Sequence, residues 1–166
     1  VNRDDVLTLF EYNYWANRRV LGAASAATPK EFAAPARLSH GSLRGALVHT
    51  LGAEVVWRLR CQQGISPRAM LSEDELPTLD LLRRRWKDEE HAMRTYLASL
   101  TDDLLLQPLK YTTTQGVPFV TILWHALAHV VNHGTQFRGE AAVALTEYGH
   151  SPGNLDLIAF LRESGR

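Results

Sequence analysis

The sequence predicts an all-α fold, a four-helix bundle with a short extended segment before the fourth helix and a short C-terminal helix. Apolar residues recur at helical spacing in four stretches of about 20 residues each. Every stretch is bounded by residues that cap or stop helices. No internal repeat or shift in composition divides the 166 residues, so 1–166 reads as one domain.

In the first stretch Val6, Phe10, Tyr14, Asn17 and Leu21 follow one another at near-helical spacing, with Leu7 and Leu9 alongside. Asp4 and Asp5 suit an N-cap or first turn, and Thr28-Pro29 ends the region. A polar connection then leads to His40-Gly41. Ser42 caps a second helix over 43–63, which Gly64 stops. This helix is apolar on much of its surface and carries His49, Glu54 and Trp57. After a loop at 65–77, Leu79, Leu82, Trp86, Met93, Leu97 and Leu100 mark the inner face of a third helix. Its other face, with Arg83, Arg84, Arg85, Lys87, Asp88 and Glu89, reads as solvated. Segment 111–119 breaks the pattern: Tyr and Thr followed by Gln-Gly predict a short hairpin or extended crossover. The fourth helix is expected over 120–148, with Gly149 ending it, a turn at 150–154 and a short helix over 155–161.

Composition excludes several classes. Lys+Arg and Asp+Glu are both 18, and the pI is about 7.2. That balance leaves no electrostatic footprint for nucleic acid. A single cysteine, Cys61, excludes an intrachain disulfide and has no evident activator. No apolar run approaches the ~20 residues needed to cross a bilayer. The opening residues are polar and lack a signal-peptide core. The expectation is a cytoplasmic protein without nucleic-acid or membrane partners. A neutral bundle rich in apolar helices is expected to form a homodimer through an isologous helix face.

The chemistry concentrates on the fourth helix, where His125, His129 and His133 stand four residues apart. Each step of four turns the side chain by about 40°, so neighbours share a face. Two such histidines can grip one metal ion, with a further ligand from elsewhere. Bundle cores commonly hold metal between facing helices, which makes His49 the natural partner.

At these residues the chain resembles the DinB-like (DinB/YfiT-like) family of metalloenzyme-type bundles. The resemblance covers nearly the whole chain. It is carried by Glu11-Tyr12-Asn13-Tyr14-Trp15-Ala16-Asn17, by the His49, Glu54 and Trp57 pattern, and by His129 to His133 with Arg138-Gly139-Glu140. Gly149 to Phe160, with Pro152 and Asp156, fits as well. The resemblance implies helices arranged up-down-down-up and a divalent metal held by three histidines, corresponding to His49, His133 and the position four later. It further implies low-molecular-weight thiols as cosubstrates, S-transferase or related chemistry, frequent dimers, and a link to stress response through the DNA damage for which the family is named.

The third ligand position is Phe137, which cannot bind a metal, and Glu140 stands where the family usually has Gln. Three outcomes stay open. His129 replaces the missing ligand one turn away, giving a His49, His129, His133 set. Alternatively His49 and His133 hold zinc or nickel weakly, with Gln136, Glu140 or water filling in. Otherwise the pocket is empty of metal and the bundle is a non-catalytic dimer that binds a small molecule or partner there.

Glu54 is the general acid/base candidate, set against an ion pair with Arg58. Asn13 and Asn17 share a face of the first helix and can point polar groups inward. Arg138 is expected to anchor helix packing through a carboxylate, with an anionic substrate as its other role. His125 reads as a core or interface histidine, and His40, His91 and His150 as loop or surface residues. Trp15, Trp57, Trp86 and Trp124 read as core aromatics. Gly134 and Gly139 each cost a helix about 1 kcal/mol, so close packing or a ligand should account for them.

Overall fold

The computed structural model describes residues 1–165, which form seven α-helices and a two-stranded antiparallel sheet. Four helices are long: α1 (Arg3–Ala24), α3 (Leu43–Arg58), α4 (Leu79–Ala98) and α6 (Leu123–Glu147). The short ones are α2 (Pro29–Ala33), α5 (Asp102–Leu105) and α7 (Leu157–Glu163). Strands β1 (Pro108–Thr112) and β2 (Pro118–Ile122) precede α6. Helix α3 packs against α6 and α4, and α1 against the same two. Among the described residues no helix is long and apolar enough to cross a membrane.

Local chemistry sets most boundaries. Asn2, rather than Asp4 or Asp5, caps α1: its side chain accepts from the Asp5 N–H, while the Asp5 carboxylate accepts from the Asn2 N–H. Thr28 does the same with Glu31 and starts α2, a short helix within the polar connection. Ser42 caps α3 as expected, accepting from Gly45. Beyond Arg58 the helix widens into a π-helical turn, Leu59–Gln63, and stops at Gly64 with φ 66°.

Three elements differ from expectation in their bounds. Residues 120–122 belong to β2, so α6 begins at Leu123. The hairpin is also wider than the 111–119 segment, running in register from Pro108↔Ile122 to Thr112↔Pro118. Val120 and Ile122 suit a pleated strand, and cross-strand pairing captures them before the helix starts. The C-terminal helix runs over Leu157–Glu163, shifted from 155–161, with Asp156 as its N-cap.

The apolar core divides into two clusters. One gathers Val6, Phe10, Tyr14, Met93, Leu97, Leu127 and Val130; the other gathers Val20, Leu43, Leu47, Leu51, Leu82, Ala141 and Leu145. Between them lies a polar layer. The Glu54 carboxylate accepts from Asn13 Nδ2 and Asn17 Nδ2, both at 2.9 Å, and from Trp86 Nε1 at 3.0 Å. The two Asn carbonyls accept in turn from Arg138 Nη1, at 2.5 and 2.9 Å, and Arg138 Nη2 reaches Thr135 Oγ1 at 3.1 Å. Glu54 and Arg138 are almost wholly buried. Beside this network, Arg58 makes a two-pronged pair with Glu89, at 2.5 and 2.9 Å.

These contacts settle several residue roles. Glu54 does not pair with Arg58, whose partner is Glu89. Arg138 does anchor the helices, but it reaches the carboxylate through Asn13 and Asn17. Trp86 is buried, yet it is also a hydrogen-bond donor; Trp15, Trp57 and Trp124 are only partly buried. Gly134 is required by close approach: a Cβ there would stand 2.6 Å from Arg138 Nη1 and 2.9 Å from Asn13 Oδ1. Gly139 has nothing within 4 Å of such a Cβ, so close packing does not account for it.

The network predicts a measurable asymmetry. Glu54→Ala leaves Arg138 buried without its compensating charge and should cost about 3–5 kcal/mol in urea unfolding. Adding Arg138→Met should recover part of that loss, because the unpaired charge is then gone. Gly134→Ala should destabilise despite its better helix propensity.

Candidate functional site

Helices α3 and α6 present His49 and His133 to each other across the interior. Their Nε2 atoms are 3.1 Å apart, so one neutral ring donates and the other accepts. Burial pushes the His49 imidazole down to about 4, with His40 adding to the effect and Glu140 opposing it. Burial does the same to His133, also to about 4, reinforced by His49, His129 and His40. Both rings are therefore neutral near pH 7, the form in which imidazole ligates a metal.

Phe137 closes the pocket from the next turn of α6. Its ring lies 4.4 Å from that of His49 edge-on, 4.5 Å from His133 and 5.2 Å from His40, and it is only 8 % exposed. His129 is exposed; its ring stands 5.6 Å from that of His133 and packs edge-on against Trp57 at 5.0 Å. Desolvation and the Arg60 cation lower its pKa. Among the described residues no three His, Cys, Asp or Glu side chains are gathered to hold one ion. The donor set thus offers an ion two converging nitrogens and no preformed third protein ligand. Glu140 does not fill the gap, because both carboxylate oxygens are taken by Ser39.

The structure changes the reading of several other residues. His40, expected at the surface, stacks on His49 with ring centroids 3.7 Å apart. Its loop is clamped by the Ser39 N–H and hydroxyl, which donate to Glu140 at 2.9 and 2.5 Å. The loop also needs Gly45, where a Cβ would meet the His40 carbonyl oxygen at 2.1 Å. No spacing rule links His40 to His49, so the sequence held no signal for this contact. Glu54, the acid/base candidate, is turned away from the imidazoles. Five residues along a helix rotate a side chain by about 140°, and both its oxygens are occupied in the polar layer. His125 is exposed and lies against Trp124 rather than in the core. Burial pushes the Cys61 thiol up to about 12, which keeps it protonated at neutral pH.

A cavity of about 330 Å³ opens onto the histidine pair, lined by His49, His133, Trp57, Arg60, Met70 and Tyr111 among others. Its size suits a small molecule. Arg60 is a lining residue that the sequence did not single out; the π-helical turn that carries it has no sequence signature of its own.

The sequence model of the DinB family matches residues 2–165, nearly the entire chain. Among curated proteins, none matches the chain.

The depressed imidazoles set a direction for stability in the metal-free protein. The ordinary value is 6.5, and the folded value is about 4 at both His49 and His133. Below pH 6.5 the unfolded chain takes up protons that these two folded sites refuse. Their contribution is therefore complete above pH 6.5 and lost as pH falls through about 4. Histidine NMR at pH 5.5 should find the His49 and His133 rings both unprotonated. A His49→Gln, His133→Gln double variant should lose less stability across that window.

Proposed function

This chain belongs to the DinB family, and we propose that it is a divalent-metal-dependent enzyme built on a four-helix bundle, an S-transferase or related hydrolase using a low-molecular-weight thiol. The observation that carries this reading is the His49–His133 pair. Zn–N bonds of about 2.0–2.1 Å in tetrahedral geometry place neighbouring ligand nitrogens about 3.3 Å apart, close to the 3.1 Å found between the two Nε2 atoms. Zinc or nickel suits such a nitrogen site. When bound there, a divalent ion supplies Lewis-acid chemistry that makes a nucleophile of a thiol or water near neutral pH.

The chain's own residues do the positioning. His49 and His133 stay neutral and aimed at one point. Phe137 excludes water from one side of the pair and holds both rings by contact. Trp57 and Tyr111, 5.0 Å apart edge-on, wall the cavity through which a substrate approaches. His129 flanks the pair within reach of the cavity wall and is the other candidate donor, with His40 nearer His49. Glu54 holds the helices that carry the histidines.

Phe137 favours a second reading, a non-catalytic dimeric bundle that binds a small molecule or partner in the former metal pocket. An apolar ring packed on all three of its imidazole neighbours is what a pocket without metal would retain. Titration calorimetry with zinc and nickel separates the two. On the enzyme reading, wild-type protein takes up about one ion per chain, His133→Ala abolishes uptake, and Phe137→His tightens it by supplying an added imidazole. Uptake by Phe137→His alone would leave the scaffold reading standing. Light scattering at micromolar concentration tests the dimer.

A further inference from the structure

Arg60 is a buried cation without a countercharge. It is 6 % exposed, and among the described residues no carboxylate pairs with it. Its one hydrogen bond is from Nη2 to the neutral carbonyl of Thr112, at 3.0 Å. Nε is buried with no partner, and Nη1 makes no hydrogen bond. Burial lowers its pKa from the usual guanidinium value. The guanidinium packs against two aromatic rings, 4.7 Å from the centroid of Trp57 and 5.1 Å from that of Tyr111. Cation–π contact offsets part of the cost of burying the charge, but it leaves Nε without an acceptor. Every other strongly buried charge among the described residues is answered: Glu54 by three donors, Glu89 by Arg58, and Arg138 by two Asn carbonyls.

Two features show that the residue is placed there. Arg60 sits in the π-helical turn that extends α3, where the helix widens and redirects its side chains. It also lines the same cavity as His49 and His133. A buried, unpaired guanidinium at the wall of a cavity of this size is a receptor for an anion, and its planar fork matches a carboxylate. The rest of the wall, with Val56, Trp57, Met70 and Tyr111, is mostly apolar.

We propose that Arg60 is the anion-recognising residue of this pocket, and that its substrate is a small carboxylate with an apolar body, held by its carboxylate at Arg60 with its other end toward the His49–His133 pair. This rests on reading the cavity as the small-molecule site, and it does not require that metal be bound.

The test is titration calorimetry of the metal-free full chain with benzoate, with benzamide as its neutral isostere, and with inorganic phosphate. Charge-assisted hydrogen bonds predict that benzoate binds about tenfold or more tighter than benzamide. Arg60→Gln should reduce benzoate to the level of benzamide. Arg60→Lys, which keeps the charge and loses the fork, should fall between. If Arg60→Gln fails to fold, the benzoate/benzamide ratio in the wild type and the shift of the Arg60 Nε–H resonance on adding benzoate decide the matter. Equal affinities, no binding of either aryl probe, a ratio that survives Arg60→Gln, or phosphate binding as tightly as benzoate would each overturn the proposal. A zinc titration of the same wild-type preparation separates the two readings. Benzoate selectivity without zinc uptake sinks the metalloenzyme and leaves the anion site; zinc uptake without selectivity does the reverse.

Discussion

The structure turns on one buried charge pair joined by two amides. Glu54 on α3 and Arg138 on α6 do not touch; Asn13 and Asn17 of α1 stand between them, donating to the carboxylate and accepting from the guanidinium. Trp86 adds α4 to the same carboxylate. All four long helices are thus tied at one level. Apolar packing above and below is non-directional and would tolerate small rotations of each helix. The polar layer would not, because each lost hydrogen bond strands a buried polar group.

That constraint reaches the candidate site through helix geometry. His133 and Phe137 are each one residue from the network positions Gly134 and Arg138, an offset of about 100° on α6. His49 stands about 140° from Glu54 on α3. Locking Glu54 and Arg138 on one side of these helices therefore fixes the angle at which His49 and His133 meet on the other. The 3.1 Å separation of their Nε2 atoms follows from this indirect clamp, with Phe137 packed against both rings. A second clamp, Ser39 on Glu140, brings His40 onto His49 from a loop. Glu140 thus has a structural partner, Ser39, within one helical turn of Phe137.

The charges of the interior divide by what answers them. Glu54, Glu89 and Arg138 are met by other side chains and serve the fold. Arg60 is met by two aromatic rings and a single carbonyl, and it lines the cavity beside the histidines.

The four long helices, the Ser42 cap and the Gly64 stop were legible in the sequence, because periodicity and capping are local properties; His49 was expected opposite His133 from bundle architecture and the family resemblance, not from spacing. Phe137 at the expected ligand position was legible too, since a residue type decides whether it can ligate. Local signals failed at the start of α6, where cross-strand pairing with 108–110 draws residues 120–122 into a strand. They failed for Glu54, whose side of α3 could not be assigned until Asn13, Asn17 and Trp86 were placed around it. They failed for His40 and Arg60, one carried by a loop clamped to a residue 101 positions away from Ser39, the other aimed by a π-helical turn. Sequence by itself determined the four long helical segments and which residue types can do chemistry. Tertiary structure alone decided which of them meet, because contacts between distant segments depend on helix rotation, and that rotation is set here by buried hydrogen bonds among four different helices.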